Sequence, residues 1–434
     1  MRTHGSFRWM YWCVGVGAAG IVSSGLFAAE AASDVAWPPG FFAILPWDPL
    51  HGWKEPYTDP KEGLASIAEC GFTMAGFVHA ADLPACEKLG LKAILAPDRS
   101  EEPWFGDWTK LSDEQIDIQV RQMVARGGDS KALLGYFITD EPGAKKFPAL
   151  AKVVAAVRKH APGRLAYINL FPDYATIGAP DSSQLGTATY TEYLERFVSE
   201  VKPQLISYDN YMVQYSNDLK DAGRAASYYR NLLEIRRVAL QAGLPFWNIV
   251  SSNQIRPQTP VPSPANLMFQ AYTTLAAGAK GLTWYTYYGR NYHYAPVGAD
   301  GRRTVTWRFL HMVNHQVKVL GPTLSRLNTT GVYFTSPPPV PSLPTLPGGI
   351  VKAVESDTPA MVGEFAGPDD ADYVMIVNLS LERSTPFRFM THKTYSSKDA
   401  VSAEDGTLRP WPTERPVWLV AGQGVLVRLA PARR

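Results

Sequence analysis

Between roughly residues 38 and 325 the hydrophobic pattern switches repeatedly between two periods. Short, almost continuous apolar runs alternate with longer stretches in which apolar residues recur every three or four positions. The first kind predicts buried strands and the second amphipathic helices, so the segment reads as a series of parallel βα units. Eight strands are expected, over residues 41–46, 72–78, 92–96, 134–139, 166–169, 205–208, 246–250 and 281–284. Helices are expected over 60–70, 83–89, 112–126, 147–160, 190–201, 222–242 and 265–277. Ser112 followed three residues later by Gln115 has the spacing of a capping box. Gly71, Gly90 and Gly243 each stand between a helix and a strand, where a left-handed C-cap belongs. Eight units of this kind favour a closed (β/α)8 barrel over an open sheet.

After Leu327 the pattern changes. The run from Ser336 to Pro347 holds six prolines and cannot form regular structure. Beyond it, alternating runs at 350–354, 361–365, 373–378, 417–420 and 425–429 predict an antiparallel β-sandwich. The expected organisation is an α/β barrel over 38–327 and a β-sandwich over 328–434. Residues 1–32 read differently. Arg2 and Arg8 lead into an apolar run from Trp9 to Ala29, and Ala29-Glu30-Ala31 is a small-x-small cleavage site. The segment is expected to be a signal peptide, or a membrane anchor if left uncleaved. An exported, periplasmic or extracellular protein follows, with a membrane as partner only in the uncleaved case.

Composition narrows the chemistry. Hydrophobic residues make up 46% and charged residues 19%, which places the chain among ordered globular proteins. The net charge is +2 and no basic run could track a phosphate backbone, so no nucleic-acid partner is expected. Of three cysteines, Cys70 and Cys86 lie in helical patterns, and a disulfide and two buried thiols are both open for them. No His/Cys cluster has metal-ligand spacing, and neither metal nor cofactor is expected.

The most informative stretch is Leu134-Gly-Tyr-Phe-Ile-Thr-Asp-Glu-Pro142. An apolar, aromatic strand stops at two adjacent carboxylates and a proline, which cannot donate to a sheet ladder. Asp140 and Glu141 are thereby placed at a strand's C-terminal end, where an α/β barrel keeps its chemistry. Paired acids there suit proton transfer to a sugar leaving group. Adjacent strand residues point to opposite sides, so a plain strand would send only one of the two into the cleft. Other strand ends would add Asp48, His79, Asp98, Asn169, Asp209, Tyr211, Asn248, Asn253, Trp284, Tyr285 and Tyr287. Carboxylates and amides suit sugar hydroxyls, and aromatic rings suit sugar C–H faces. Asp48, His79, Asn169, Tyr211, Asn253, Trp284 and Tyr287 are the expected substrate contacts.

The run Gly135-Tyr-Phe-Ile-Thr-Asp-Glu-Pro142 resembles the fourth-strand acid motif of clan A glycoside hydrolases, especially relatives of the family 42 β-galactosidases. The segment from Gln270 to Tyr287 is similar to their last helix and eighth strand. Gly363-Glu-Phe365 with Tyr373 to Ser380 is similar to the β-domains that follow such barrels. The resemblance implies a glycosidase with Glu141 as acid/base residue. The chain departs from it at the seventh strand, whose end carries a nucleophilic Glu in the clan. Here no Asp or Glu occurs between Glu234 and Asp300. Three readings stay open. Glu141 protonates the leaving oxygen while Asp209, two strands away, activates water across the ~6.5–9.5 Å gap of inversion. Alternatively, Asp140 orients an acetamido group of the substrate and Glu141 is the acid, as in substrate-assisted hexosaminidases. In the third, the barrel binds glycan without cutting it.

Overall fold

The computed structural model describes residues 34–47, 63–97, 107–179, 182–289, 292–412 and 414–432. The expected targeting segment at residues 1–32, Asp48 and Asp98 lie outside the described residues.

Eight parallel strands form one sheet: β1 (Ala43–Pro46), β2 (Met74–Val78), β3 (Lys92–Leu95), β4 (Leu133–Asp140), β5 (Leu165–Leu170), β6 (Ile206–Asp209), β7 (Phe246–Ser251) and β8 (Gly281–Tyr285). Their order runs β1-β8-β7-β6-β5-β4-β3-β2, so the first and last strands in the ring are also the first two in the chain. Thr73 closes this seam. Its N–H donates to Ile44 O at 3.2 Å, while its hydroxyl accepts from Ile44 N and donates to Phe42 O, both at 2.8 Å. All eight expected strands are present, with ends that differ by no more than two residues.

The helices are α1 (Leu64–Glu69), α2 (Leu83–Lys88), α3 (Asp113–Gly127), α4 (Phe147–His160), α5 (Tyr190–Arg196), α6 (Met212–Tyr215), α7 (Ala222–Ala242), α8 (Pro264–Ala276) and α9 (Val305–Leu324). The Ser112–Gln115 capping box opens α3, and Gly71, Gly90 and Gly243 all have positive φ. α9 has no counterpart among the expected helices, although Trp307, Leu310, Val313, Val317, Leu320 and Leu324 mark its buried face. Gly321 and Pro322 argue against a helix at that point, but both fall in its last turn, where Pro322 sits inside the helix and removes one backbone donor.

The barrel has two apolar layers. Leu45, Trp47, Phe77, Ile94, Phe137, Tyr167, Trp247 and Ile249 fill its interior, and a larger cluster lies between strands and helices. The interior is an aromatic floor: Phe77 lies 4.6 Å from Phe137, 4.8 Å from Trp47 and 5.6 Å from Tyr167, and Tyr167 lies 5.9 Å from Trp247, centroid to centroid.

The C-terminal part is a β-sandwich. One sheet has the order Asn328–Phe334, Ala360–Ala366, Asp372–Asn378, Gly424–Pro431, Tyr395–Val401, Leu408–Pro410. The other is Val351–Glu355, Thr385–Thr391, Val417–Leu419. Every pairing is antiparallel. The strands at 328–334, 385–391, 395–401 and 408–410 were not expected. Tyr395–Val401 shows why: its sequence, YSSKDAV, is mostly polar and only Val401 is buried, so backbone pairing rather than an apolar face makes it a strand. Cys70 and Cys86 are free, buried thiols. Burial pushes Cys86 up to about 12 and Cys70 higher still, which makes both unreactive. Among the described residues, no helix is long and apolar enough to cross a membrane.

Candidate active site

β4 delivers its two carboxylates by a break in strand geometry. β4 has a bulge against β5 between Phe137 and Thr139. Asp140 still pairs with Asn169 in the ladder, and Glu141 N donates to Asn169 O at 2.9 Å. Glu141 then adopts φ +43°, a left-handed conformation that costs a non-glycine residue about 1–3 kcal/mol. The turn cancels the up-down alternation of a strand, and both Asp140 and Glu141 line one cleft. Pro142 ends the strand, and its carbonyl accepts from Tyr193 Oη at 2.8 Å.

Two further strands complete the polar floor. Asn169 of β5 donates through Nδ2 to Asp140 at 3.0 Å and to Asp209 of β6 at 3.2 Å. Asp209 is almost wholly buried and is hydrogen-bonded to the Glu141 carboxyl. Burial, and then the negative charges of Glu141 and Asp140, hold Asp209 well above the usual carboxylate range. Burial also raises Glu141, while its hydrogen bond with Asp209 pulls the other way. Two carboxyls in hydrogen-bond contact cannot both ionise cheaply, so the pair keeps one proton. Glu141 is the partner that reaches the cleft more openly; Asp209 lies beneath it.

The walls are aromatic. Trp47, Tyr211, Tyr215, Tyr285, Tyr292 and Ile255 line a cavity of about 170 Å³ above the acids. Tyr211 and Tyr285 lie 5.3 Å apart, and the Tyr285 and Tyr292 hydroxyls are 2.8 Å apart. Arg256 covers the Tyr215 ring from the rim at 5.1 Å. No basic side chain lines the cavity among the described residues, and none of their acids, histidines and cysteines group to hold a metal ion.

Of the residues expected at the site, Asp140, Glu141, Asn169, Asp209 and Tyr211 meet in this cavity. Four others do not line it. His79 precedes the short helix at Ala80–Asp82, where its backbone N–H donates to Asp82 Oδ2 at 3.2 Å, and its Nε2 is buried without a partner. Asn253 is fully buried behind the rim, with neither side-chain polar atom partnered. Trp284 faces the helical shell and donates to Asn314 Oδ1 at 2.7 Å. The Tyr287 hydroxyl is likewise engaged outside the barrel, by Ser66 at 2.7 Å and Trp307 at 3.0 Å. Alternation along β8 explains the error there: Trp284 points outward, so its neighbour Tyr285 points in. Tyr215 is the last residue of the one-turn helix α6, Ile255 and Tyr292 sit on loops whose sequence carries no period, and Trp47 closes the end of β1.

Glu141 and Asp209 act on each other through their carboxyls rather than standing as two independent groups. β7 contributes no acid: the residue level with Asp209 is Ile249, part of the barrel interior.

No protein-family model matches the sequence, and no curated protein is similar to it. Solved structures are. A catalytic mutant of Gan42B, a GH42 β-galactosidase from G. stearothermophilus, aligns with a TM-score of 0.61 at 9% identity, over 93% of this chain and 100% of that one. Gan42B without that mutation aligns at 0.60 and 9% identity, over 91% and 98%. In fold, the barrel is distantly similar to these family 42 structures. At this identity the likeness fixes the architecture, a glycosidase-like barrel followed by a β-domain.

Proposed function

We propose that the protein is an exported glycoside hydrolase in which Glu141 is the general acid and Asp140 the second carboxylate facing the substrate. The observation that carries this reading is the left-handed turn at Glu141, which brings both adjacent carboxylates into one aromatic cleft. An inverting base or a retaining nucleophile must approach the sugar from the face opposite the acid. The three carboxylates instead cluster on the β4–β6 side, and among the described residues none lines the opposite wall. The attacking group is then best supplied by the substrate. Asp140, held by Asn169, aligns a 2-acetamido group so that its carbonyl oxygen forms the bond to the anomeric carbon. Glu141 gives its proton to the leaving oxygen, and water later opens the cyclic intermediate while Glu141 takes a proton back. Asp209 shares the proton of Glu141 rather than activating water. The export reading rests on Arg2, Arg8 and the apolar run to Ala29.

Paired 4-nitrophenyl hexosides with and without a 2-acetamido group, with product anomers followed by NMR, test the proposal. Hydrolysis confined to the acetamido sugars, with retention, and lost at least 100-fold in Asp140→Asn, is expected. Inverting hydrolysis of plain hexosides would return the second role to a water-activating base. Glycan affinity without any hydrolysis would make the barrel a binding module.

A further inference from the structure

Beneath the acids runs a hydrogen-bond chain whose direction follows from the orientation of the Asn169 amide. Ser207 of β6 donates its hydroxyl proton to Asn169 Oδ1 at 3.1 Å. With that proton committed, the Tyr167 hydroxyl of β5, 2.8 Å away, must be the donor to Ser207. Asn169 is left with its carbonyl oxygen engaged below and its NH2 group facing up, where it donates to both Asp140 and Asp209. Tyr167, Ser207 and Asn169 are all essentially buried. The first of them is locked in the aromatic floor between Phe77 and Trp247.

From this geometry we infer that Tyr167 and Ser207 are positioning residues that fix the Asn169 amide with its donors toward the acids, and so set how the three carboxyls share protons. The inference rests on the proposed use of these acids but assigns roles to two residues that touch no substrate. An amide is nearly symmetric in shape, and only its partners decide which end faces the carboxyls. Reversed, Asn169 would present its carbonyl oxygen to Asp140 and Asp209 and disfavour their charged forms. The groups facing this cluster are Glu141 and Asp140 from β4, Asp209 from β6, Tyr167 from β5 and, beyond the strands, Tyr174 and Tyr211. No cation among them could substitute for the amide donors. Tyr167 gives the chain its lower anchor, which ties the aromatic core to the ionisation of the site.

The test is an infrared difference titration of the protonated carboxyl band in the full chain, run beside the pH profile of glycoside hydrolysis. Ser207→Ala is expected to raise the midpoint of the shared proton by about one unit and to move the alkaline limb of kcat/KM, set by loss of that proton from the general acid, up with it. Tyr167→Phe, which leaves Ser207 in place, is expected to produce a smaller shift in the same direction. A lower Tm with an unchanged midpoint in both variants would reduce the chain to packing and overturn the inference. If Ser207→Ala does not fold, Tyr167→Phe decides by the same criterion. A shifted midpoint in a protein that hydrolyses no glycoside would uphold the positioning role and refute the proposed function instead.

Discussion

Glu141 shows what a residue list withholds. The sequence places it beside Asp140 at a strand end, but only the positive φ directs both side chains to one side. That angle depends on the bulged β4 and on Pro142, held by Tyr193, and no sequence pattern announces it. The error at β8 is of the opposite kind. Parity along a strand is legible, yet of Trp284 and Tyr285 at the strand end only Trp284 is among the expected substrate contacts, whereas Tyr285 lines the cavity. Asp209 was found from its place after the sixth strand, but its contact with Glu141 depends on side-chain reach. Its raised pKa has a consequence for stability. A carboxyl whose folded pKa exceeds its unfolded value of about 3.9 stabilises the fold below that value and loses the contribution as pH rises through the folded pKa. Asp209→Asn, which never ionises, is therefore expected to have a higher Tm than the natural protein at pH 8 and no advantage at pH 4. Thermal unfolding at the two pH values checks this; an equal difference at both would contradict the assignment.

At the scale of elements, the barrel was legible because each strand is buried on both faces and reads as an unbroken apolar run. The sandwich was half legible, because its outer strands are held by ladder bonds rather than by an apolar face. One side chain stands in for missing periodicity there. Glu364, buried in the strand Ala360–Ala366, accepts from the backbone N–H groups of Gly349, Ile350 and Val351 at 3.0, 2.9 and 2.7 Å. It thereby fastens the end of the proline-rich loop to the sheet. Glu364→Ala would leave three donors unpaired and is expected to cost on the order of 3–5 kcal/mol in urea unfolding. Glu364→Gln, which keeps one carbonyl oxygen, should cost less. Equal stability of all three proteins would mean water replaces the carboxylate at no cost.

On the scale of the whole molecule, α8 joins the two parts. Every residue from Asn266 to Ala276 is buried, as befits a helix covered by the barrel on one face and the sandwich on the other. The contact is close: a Cβ at Gly363 would lie 2.1 Å from Ala276 O. Gly363→Ala must push the sandwich off α8, and calorimetry is expected to show a lower Tm and a single transition split into two. An unchanged single transition would mean the two parts are not coupled through this contact. The cleft is likewise a product of the whole ring, since the acids come from β4 and β6, the amide from β5 and the aromatic walls from β1, β8 and the loops.

The most direct measurement compares leaving groups in Glu141→Gln. A general acid matters only when the departing oxygen needs a proton. On an alkyl or sugar leaving group the variant should lose at least ~100-fold in kcat/KM, within the usual ~10²–10⁴ contribution of proton transfer. On a 2,4-dinitrophenyl glycoside, whose anion departs unaided, it should lose little. Equal losses on both substrates, or none on either, would contradict the assignment of this cleft as a site of acid-catalysed glycoside cleavage.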